Sequence, residues 1–351
     1  MSIDIYYSGG NTKMKYPVFL TILIFTIFAS SISSKDSIEP VLRFGDDHLV
    51  NPGKIITSDG EVFVMEPKMY RIVIFSEVGE FKMNLGRAGE GPGEFKMLNI
   101  VHIANNMIYC YDPMGRRIHL FSIKDKKYLR FIPLTDTLHG YPPTRMVINP
   151  DGTIIMFNNG TLKKHTLIGL YTPEGNLIKR FFNAFPIYNN ESESRDYSKR
   201  NEQSEIDFFR NAGNIAVSEE KLYYANYIEN QVMEMDMDGK LLNRFSLPLP
   251  SHEKTLKFIA IPMGPKGTTY HAENKLTYDL RSKNNSIYIL CCDNGISYIF
   301  RLEKGKLQEV CRMKERLTSF DIMNNKIYCL EDEPENEEKN SEVLVYNLPK
   351  N

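Results

Sequence analysis

The stretch "GRAGEGPGEFKMLNIVHIANNMIYCYDPMGRRIHLF" (residues 86–121) holds the pattern that decides the fold. A Gly-rich segment is followed by short runs of β-branched and aromatic residues that are separated by turn residues, which predicts β-strands and hairpins. A phosphate-binding loop would need GxxxxGK[ST], or GxGxxG leading from a strand into a helix. Here a strand follows, so the Gly-rich segment is predicted to connect two sheets.

Six segments of the chain share one strand pattern, in which a run of mainly apolar residues ends with a polar residue. They begin at residues 61, 107, 153, 221, 286 and 326, which gives spacings of 46, 46, 68, 65 and 40. A further apolar run and a turn precede each segment, and two more runs follow it. The repeat therefore predicts four-stranded antiparallel sheets at intervals of about 45 residues with two long insertions. The six segments are "EVFVME", "MIYCYD", "TIIMFN", "KLYYAN", "SIYILC" and "KIYCLE".

A single four-stranded sheet cannot bury both of its faces, whereas six sheets packed radially can. The sequence thus predicts an all-β fold, a six-bladed β-propeller of four-stranded antiparallel blades. The sixth repeat is one strand short, and "EPVLRFG" (39–45) is a strand left over before the first repeat. We therefore expect the N-terminal strand to join the last blade and close the ring.

Residues 85–121 resemble an NHL repeat, in which a GxGxGxF connection leads to an inner strand, an IYVAD-like strand and an RIxxF strand. The matching positions are Gly89, Gly91, Gly93, Phe95, Ile108 to Asp112, Arg117, Ile118 and Phe121. The whole chain is similar to the secreted six-bladed β-propellers abundant in anaerobic gut bacteria. This resemblance implies the fold, and it implies no particular activity because most of those proteins have none assigned.

The N-terminal segment has the layout of a secretory signal peptide. Lys15 precedes the apolar run Val18 to Phe28, and small residues follow from Ala29. Met14 is a plausible start, and we expect residues 1–33 to be the signal peptide with an upstream extension and 34–351 to be one propeller domain. The apolar run is short for a bilayer, so we expect export to the periplasm or the extracellular space without stable membrane insertion, a retained anchor being the alternative.

Charge and cysteine usage argue against two classes of function. The formal net charge of -1 gives no sign of a nucleic-acid partner. The five cysteines show no CxxC pair or Cys/His cluster at ligand spacing, so packing in the core is favoured over metal binding. None of the seven histidines lies in HExxH, and no GxSxG occurs, so no catalytic residue is predicted.

Candidate binding residues lie where second strands end and in the Gly-rich connection. In a propeller, both places belong to the rim that commonly carries the ligand. A ring of carboxylates and amides there could bind calcium. The competing interpretation is that Asp and Asn end strands because they bind their own turns, and that the charged residues of the connection form weak exposed ion pairs. The candidates are Glu66, Asp112, Asn158, Asn226, Asp293, Glu331, Arg87, Glu90 and Glu94.

The two long insertions, residues 185–214 and 248–275, are predicted to lie on the same rim, where loops on a rigid scaffold often bind ligands. The acidic run 331–338 is predicted to be a solvated loop. The favoured function is an exported, non-catalytic propeller that binds a protein, peptide or glycan through this rim, with no cofactor. The alternative is a metal-dependent hydrolase or lyase, by analogy with six-bladed lactonases and peptide-amidating lyases that hold a cation in the channel.

Overall fold

The computed structural model describes residues 37–135, 143–158, 166–183, 211–249, 258–262, 268–272, 276–331 and 341–349. Within these ranges it contains strands β1 to β26, and its only helix is a 3-10 turn at Pro67–Met69. No helix in the described ranges is long and apolar enough to cross a bilayer. Most of the acidic run 331–338 falls outside the described residues.

Six four-stranded antiparallel sheets, here called blades 1 to 6, make up the fold. In blades 1 to 5 the strands follow chain order from the innermost to the outermost. Their strands are β2–β5 (Lys54–Ser58, Glu61–Glu66, Arg71–Ser76, Phe81–Leu85), β6–β9 (Ile100–Ala104, Met107–Asp112, Arg117–Ser122, Tyr128–Pro133), β10–β13 (Arg145–Ile148, Ile154–Phe157, Thr166–Tyr171, Leu177–Asn183), β14–β17 (Gly213–Ser218, Lys221–Asn226, Gln231–Asp236, Leu241–Ser246) and β20–β23 (Thr277–Lys283, Ser286–Asp293, Ile296–Glu303, Lys306–Met313).

Blade 6 is built from both ends of the propeller. Strands β24 (Leu317–Met323), β25 (Lys326–Glu331) and β26 (Val343–Asn347) are completed by β1 (Leu42–Phe44), which pairs with β26 as the outermost strand. The first strand of each blade contacts the first strand of the next, and β24 contacts β2. The predicted six-bladed propeller and its closure by the N-terminal strand are both confirmed.

The second long insertion also forms strands, which its turn-rich sequence did not predict. Strands β18 (Phe258–Pro262) and β19 (Thr268–Ala272) pair as a separate two-stranded antiparallel sheet between blades 4 and 5. In the first insertion, residues 184–210 lie outside the described residues.

The hydrophobic core is divided among the interfaces between blades. In the described residues, each of six large clusters joins two neighbouring blades. Successive residues of β25 illustrate this, because Ile327 and Cys329 face blade 5 whereas Tyr328 and Leu330 face blade 1. Burial of both faces explains why the repeated second strands are continuous apolar runs rather than alternating ones. All five cysteines are buried, as predicted, and none of them forms a disulfide in the structure.

The Gly-rich connection is a compact turn that ends by inserting Phe95 between blades 1 and 2. Phe95 is fully buried among side chains of both blades. Its backbone N–H donates to the Arg87 carbonyl at 2.9 Å, and its carbonyl accepts from Gly89 N at 3.0 Å. Gly86 has a φ of +84°, and a Cβ there would lie 2.3 Å from the Phe95 ring. This position therefore requires glycine for both its backbone angle and the close approach of the ring.

Replacing Phe95 by Ala should lower the free energy of unfolding by ~3–5 kcal/mol, because the cavity opens in the core shared by two blades. The measurement is urea unfolding followed by circular dichroism. Phe131→Ala is the matched control, since Phe131 is 46% exposed on the outer strand β9 and its truncation should cost about 1 kcal/mol or less. Equal losses for the two variants would contradict the proposed role of Phe95.

Removing the closing strand should destabilise the whole ring rather than blade 6 alone. A chain that begins at Gly45 loses the pairing of β1 with β26 and the burial of Phe44, which is 9% exposed. We expect one cooperative unfolding transition at a lower temperature, with a loss of about 3 kcal/mol or more. A chain that begins at Ser37 is the control. Separate transitions, or an unchanged melting temperature, would show that ring closure does not stabilise the fold.

Candidate functional site

The predicted strand-end residues lie at equivalent places in the blades, and three of them accept hydrogen bonds from backbone N–H groups of neighbouring turns and connections. Glu66 is fully buried, and its Oε1 accepts from Val50 N at 2.6 Å and Asn51 N at 2.8 Å. Its Oε2 accepts from Arg71 Nε at 2.7 Å. Both carboxylate oxygens are therefore occupied in holding the chain that enters blade 1.

Asp112 and Asn226 have the same kind of role in blades 2 and 4. The oxygens of Asp112 accept from Gly115 N at 2.9 Å and Lys96 N at 3.1 Å. Asn226 Oδ1 accepts from the backbone N–H groups that follow it, at residues 228 and 229. These contacts are those of residues that stabilise turns. Of the other predicted strand-end residues, Asn158 and Asp293 are buried and Glu331 is half-buried.

The charged residues of the Gly-rich connection form surface ion pairs. Arg87 binds Glu94 at 2.6 Å, and Lys96 binds Glu90 at 2.7 Å. Glu94 Oε2 also accepts from Gly91 N at 2.9 Å, and this bond together with Arg87 lowers the pKa of the carboxyl group. Arg87 is 80% exposed, so its pair contributes little to stability.

The structure brings a different set of side chains together around the axis. One position of the repeated second strand is occupied in the six blades by Met65, Tyr111, Phe157, Ala225, Leu290 and Leu330. In each blade, one residue of the first strand pairs with this position. We call these six first-strand residues the upper ring; five of them are polar. They are Lys54, Ile100, Arg145, Asn214, Asp279 and Ser319.

The upper ring lies near the rim that the sequence analysis selected, because most of its residues stand close to the beginning of a first strand. The residues two positions further along the same six strands form a second ring, which we call the lower ring. It contains the charged or titratable residues His102, Arg281 and Asp321, and the apolar residues Ile56, Val147 and Ala216.

Asp279 connects blades 1, 5 and 6 through a buried network. Its Oδ1 accepts from Lys54 Nζ at 2.6 Å, and its Oδ2 accepts from Ser319 Oγ at 3.0 Å. Arg281 forms an ion pair with the same carboxylate at 3.0 Å. Burial opposes the charge of Asp279, but Arg281 and Lys54 outweigh it and lower the pKa of its carboxyl group. Asp279 is therefore ionised at neutral pH.

Arg281 also supplies hydrogen bonds that the sheets themselves cannot make. The first strand of a blade has a neighbouring strand on one side only, so its backbone N–H and C=O groups that face the axis need other hydrogen-bond partners. The Arg281 guanidinium donates to the Phe320 carbonyl of blade 6 and the Ile55 carbonyl of blade 1, each at 2.9 Å. Side chains of Ser319 and Asp321 accept from the N–H groups of Ile55 and Thr57.

Positive charge exceeds negative charge along the axis. Lys54, Arg145, Arg281 and Lys283 are cations, whereas Asp279 and Asp321 are the anions of the same strands. Burial and the positive charges of Arg281 and Arg145 lower the pKa of Lys54 to about 7, although the carboxylate of Asp279 acts to raise it. Burial and the nearby cations also lower the pKa of His102 to about 3, so this imidazole is neutral at pH 7.

The other half of the upper ring is centred on Arg145, between blades 3 and 4. Its Nε donates to Asn214 Oδ1 at 2.6 Å, and its two terminal nitrogens donate to the Thr144 carbonyl at 2.7 Å and to the Tyr227 hydroxyl at 2.8 Å. All three acceptors are neutral oxygens. This half of the ring therefore presents a cation that is held in place by neutral groups.

The described carboxylates do not fit a divalent cation. Those of Glu66 and Asp279 already accept from N–H or ammonium groups, and the axis has an excess of positive charge. No group of three or more His, Cys, Asp or Glu side chains in the described ranges could hold a metal ion. The arrangement at the axis instead suits the binding of an anion.

Sequence reasoning missed the upper ring because a polar residue in a short strand shows no sign of facing an axis. A weak signal was available in the first strands, where "KIITS", "RMVI", "GNIAVS" and "TYDLRSK" each place a polar residue within an otherwise strand-like run. Only the register of all six blades shows that these positions are equivalent.

Residues 42–305 match the family DUF5128, which is described as a 6-bladed beta-propeller. The chain belongs to this propeller family. No protein with a curated description matches the sequence.

Solved structures similar to this family member show the same fold. A "Putative exported protein" from Bacteroides fragilis NCTC 9343 has 14% identity and a TM-score of 0.56, covering 91% of this chain and 98% of its own. A DUF4221 member from Bacteroides vulgatus ATCC 8482 has 11% identity and a TM-score of 0.52, covering 91% and 100%. A luciferin-regenerating enzyme has 9% identity and a TM-score of 0.52, covering 89% and 95%. At these identities the likeness is one of fold alone.

The low pKa of Lys54 predicts a specific pH dependence of stability in this propeller. The folded protein releases the Lys54 proton near pH 7, whereas the unfolded chain releases it near 10.5. Between these values the unfolded state binds more protons, so rising pH stabilises the folded state; below pH 7 both states are protonated and the contribution is constant.

The free energy of unfolding of the native protein should therefore rise between about pH 7 and 10 relative to that of Lys54→Met. Chemical unfolding at several pH values measures this difference. Lys306→Met, which removes an exposed lysine at the start of β23, is the control and should leave the pH profile unchanged. Parallel profiles for the native protein and Lys54→Met would contradict the shifted pKa.

Proposed function

We propose that the protein is an exported, non-catalytic β-propeller that binds an anionic part of a protein, peptide or glycan around the axis of the ring, here called the channel, near the rim of blade connections. The observation that carries the proposal is the upper ring. Five of its six positions are polar, and Lys54 and Arg145 outnumber the single carboxylate of Asp279. Enclosed cations attract an anionic ligand because low-dielectric walls weaken the screening by water.

Export is supported by two observations. Lys15, the apolar run from Val18 to Phe28 and the small residues after it form a signal-peptide pattern ahead of the propeller. A Bacteroides fragilis protein whose name assigns it to export has the same fold. Ligand binding on a rigid scaffold outside the cytoplasm needs no catalytic motif, and the sequence contains none of those considered above.

The rim residues retain a part in this proposal. Arg87, Glu90 and Glu94 lie in a connection between blades, and the long insertions are predicted from the sequence to lie on the same rim. A ligand seated on the upper ring would extend toward them. We therefore place the anionic group of the ligand at the axis and the rest of the ligand along the rim.

The test is binding of the purified protein to arrays of acidic and neutral peptides and glycans at pH 6, where Lys54 is protonated. We expect acidic members to bind. Lys54→Gln should weaken that binding by roughly tenfold or more, because a charge-assisted hydrogen bond is lost. Lys306→Gln is the matched control and should bind like the native protein.

Two results would overturn the proposal. One is a preference for neutral over acidic array members. The other is binding of acidic members that both lysine variants retain equally, since the ligand would then lie away from the channel. Increased salt should weaken the expected binding, because charge attraction contributes to it.

A further inference from the structure

Arg145 is a half-buried cation of the upper ring. Its three hydrogen bonds, to Asn214, Thr144 and Tyr227, use three of the five N–H donors of a guanidinium. In the described part of the chain it has no carboxylate partner, whereas Arg71 and Arg281 each have one. A partly buried cation without a counter-ion is costly to maintain.

Asn214 supplies a second, independent indication. It is 1% exposed, and its side-chain Nδ2 has no hydrogen-bond partner. The amide cannot reverse its orientation without loss, because its Oδ1 must accept from Arg145 Nε. A buried N–H donor is thus held next to the guanidinium with nothing to bind, and such a group destabilises the fold unless a partner is supplied.

We propose that Arg145 and Asn214 form a carboxylate-binding subsite between blades 3 and 4, which recognises a carboxylate group of the ligand. This inference rests on the proposed function and names the chemical group that the channel binds. The Tyr227 hydroxyl and the Thr144 carbonyl accept from Arg145 and hold the plane of its guanidinium.

The donors at the subsite match a carboxylate in number and charge. Two guanidinium N–H groups and the Asn214 amide can each donate to one of the two oxygens, which have about four acceptor sites. One positive charge balances the single negative charge of a carboxylate. A phosphate group has a higher charge and more oxygens than these donors satisfy, so it is the less suitable ligand.

The decisive experiment compares two small probes on the intact protein. N-acetylalanine has a free carboxylate, and N-acetylalanine amide has the same shape without the charge. We expect the acid to raise the melting temperature in a saturable manner and the amide to have no effect, because only a ligand that binds the folded state stabilises it. Inorganic phosphate serves as a third probe.

Two variants assign the effect to Arg145. Arg145→Gln should weaken binding of the acid by about tenfold or more, whereas Arg130→Gln should leave it unchanged. Arg130 is an exposed arginine on the outer strand β9, so its substitution removes the same charge at a distance from the axis.

Asn214→Asp keeps the test decisive if Arg145→Gln does not fold. It places a carboxylate permanently beside the Arg145 guanidinium, so the variant should melt at a higher temperature and lose its response to the acid. If the site has no preference for an anion, the buried carboxylate should lower the melting temperature instead.

The proposal is overturned if the native protein responds equally to acid and amide, if phosphate binds more tightly than the acid, or if Arg145→Gln retains the response. Loss of the response in Lys54→Gln but not in Arg145→Gln would also overturn it, while leaving the proposed binding at the channel in place. Failure of both this test and the array experiment would reject the proposed function as well.

Discussion

The unpaired inner edge of each first strand is the constraint on which the axis of this propeller depends. A strand with a neighbour on only one side has backbone donors and acceptors on the other side that must be satisfied. Arg281 meets part of this need by donating to carbonyls of blades 1 and 6, and Ser319 and Asp321 meet another part by accepting N–H groups. Polar side chains at the axis are therefore required by the architecture before any ligand is considered.

This requirement distinguishes the charged side chains that stabilise the fold from those that remain available to a ligand. The carboxylate of Asp279 pairs with both Lys54 and Arg281 and so offsets one of their two positive charges, and these residues together with Ser319 join blades 5, 6 and 1 into a continuous network. Arg145 and Asn214 belong to the same ring by register but bind only neutral oxygens or leave a donor unused. The contrast between the two halves of one ring is the basis for the carboxylate ligand that we propose on the side of blades 3 and 4.

The fold was predictable from the sequence to a much greater extent than the site. Second strands such as Lys221–Asn226 are buried on both faces between blades, so they stand out as apolar runs, and the leftover strand at Leu42–Phe44 indicated closure. Lys54, Arg145 and Asp279 gave no such indication, because their partners are distant in sequence: Lys54 and Asp279 are 225 positions apart, and Arg145 and Asn214 are 69 positions apart. Glu66 and Asp112 were conspicuous for another reason: their side chains hold turns, and turn residues are easily recognised in sequence.

The pairing of β1 with β26 has a consequence for the order in which the protein is made. The strand at Leu42–Phe44 is among the first parts of the propeller to be synthesised, and its partner at Val343–Asn347 is among the last. The ring cannot close while the C-terminal strand is still within the ribosome. Contacts this distant in sequence form slowly, so the fold itself delays its completion until the whole chain has been released.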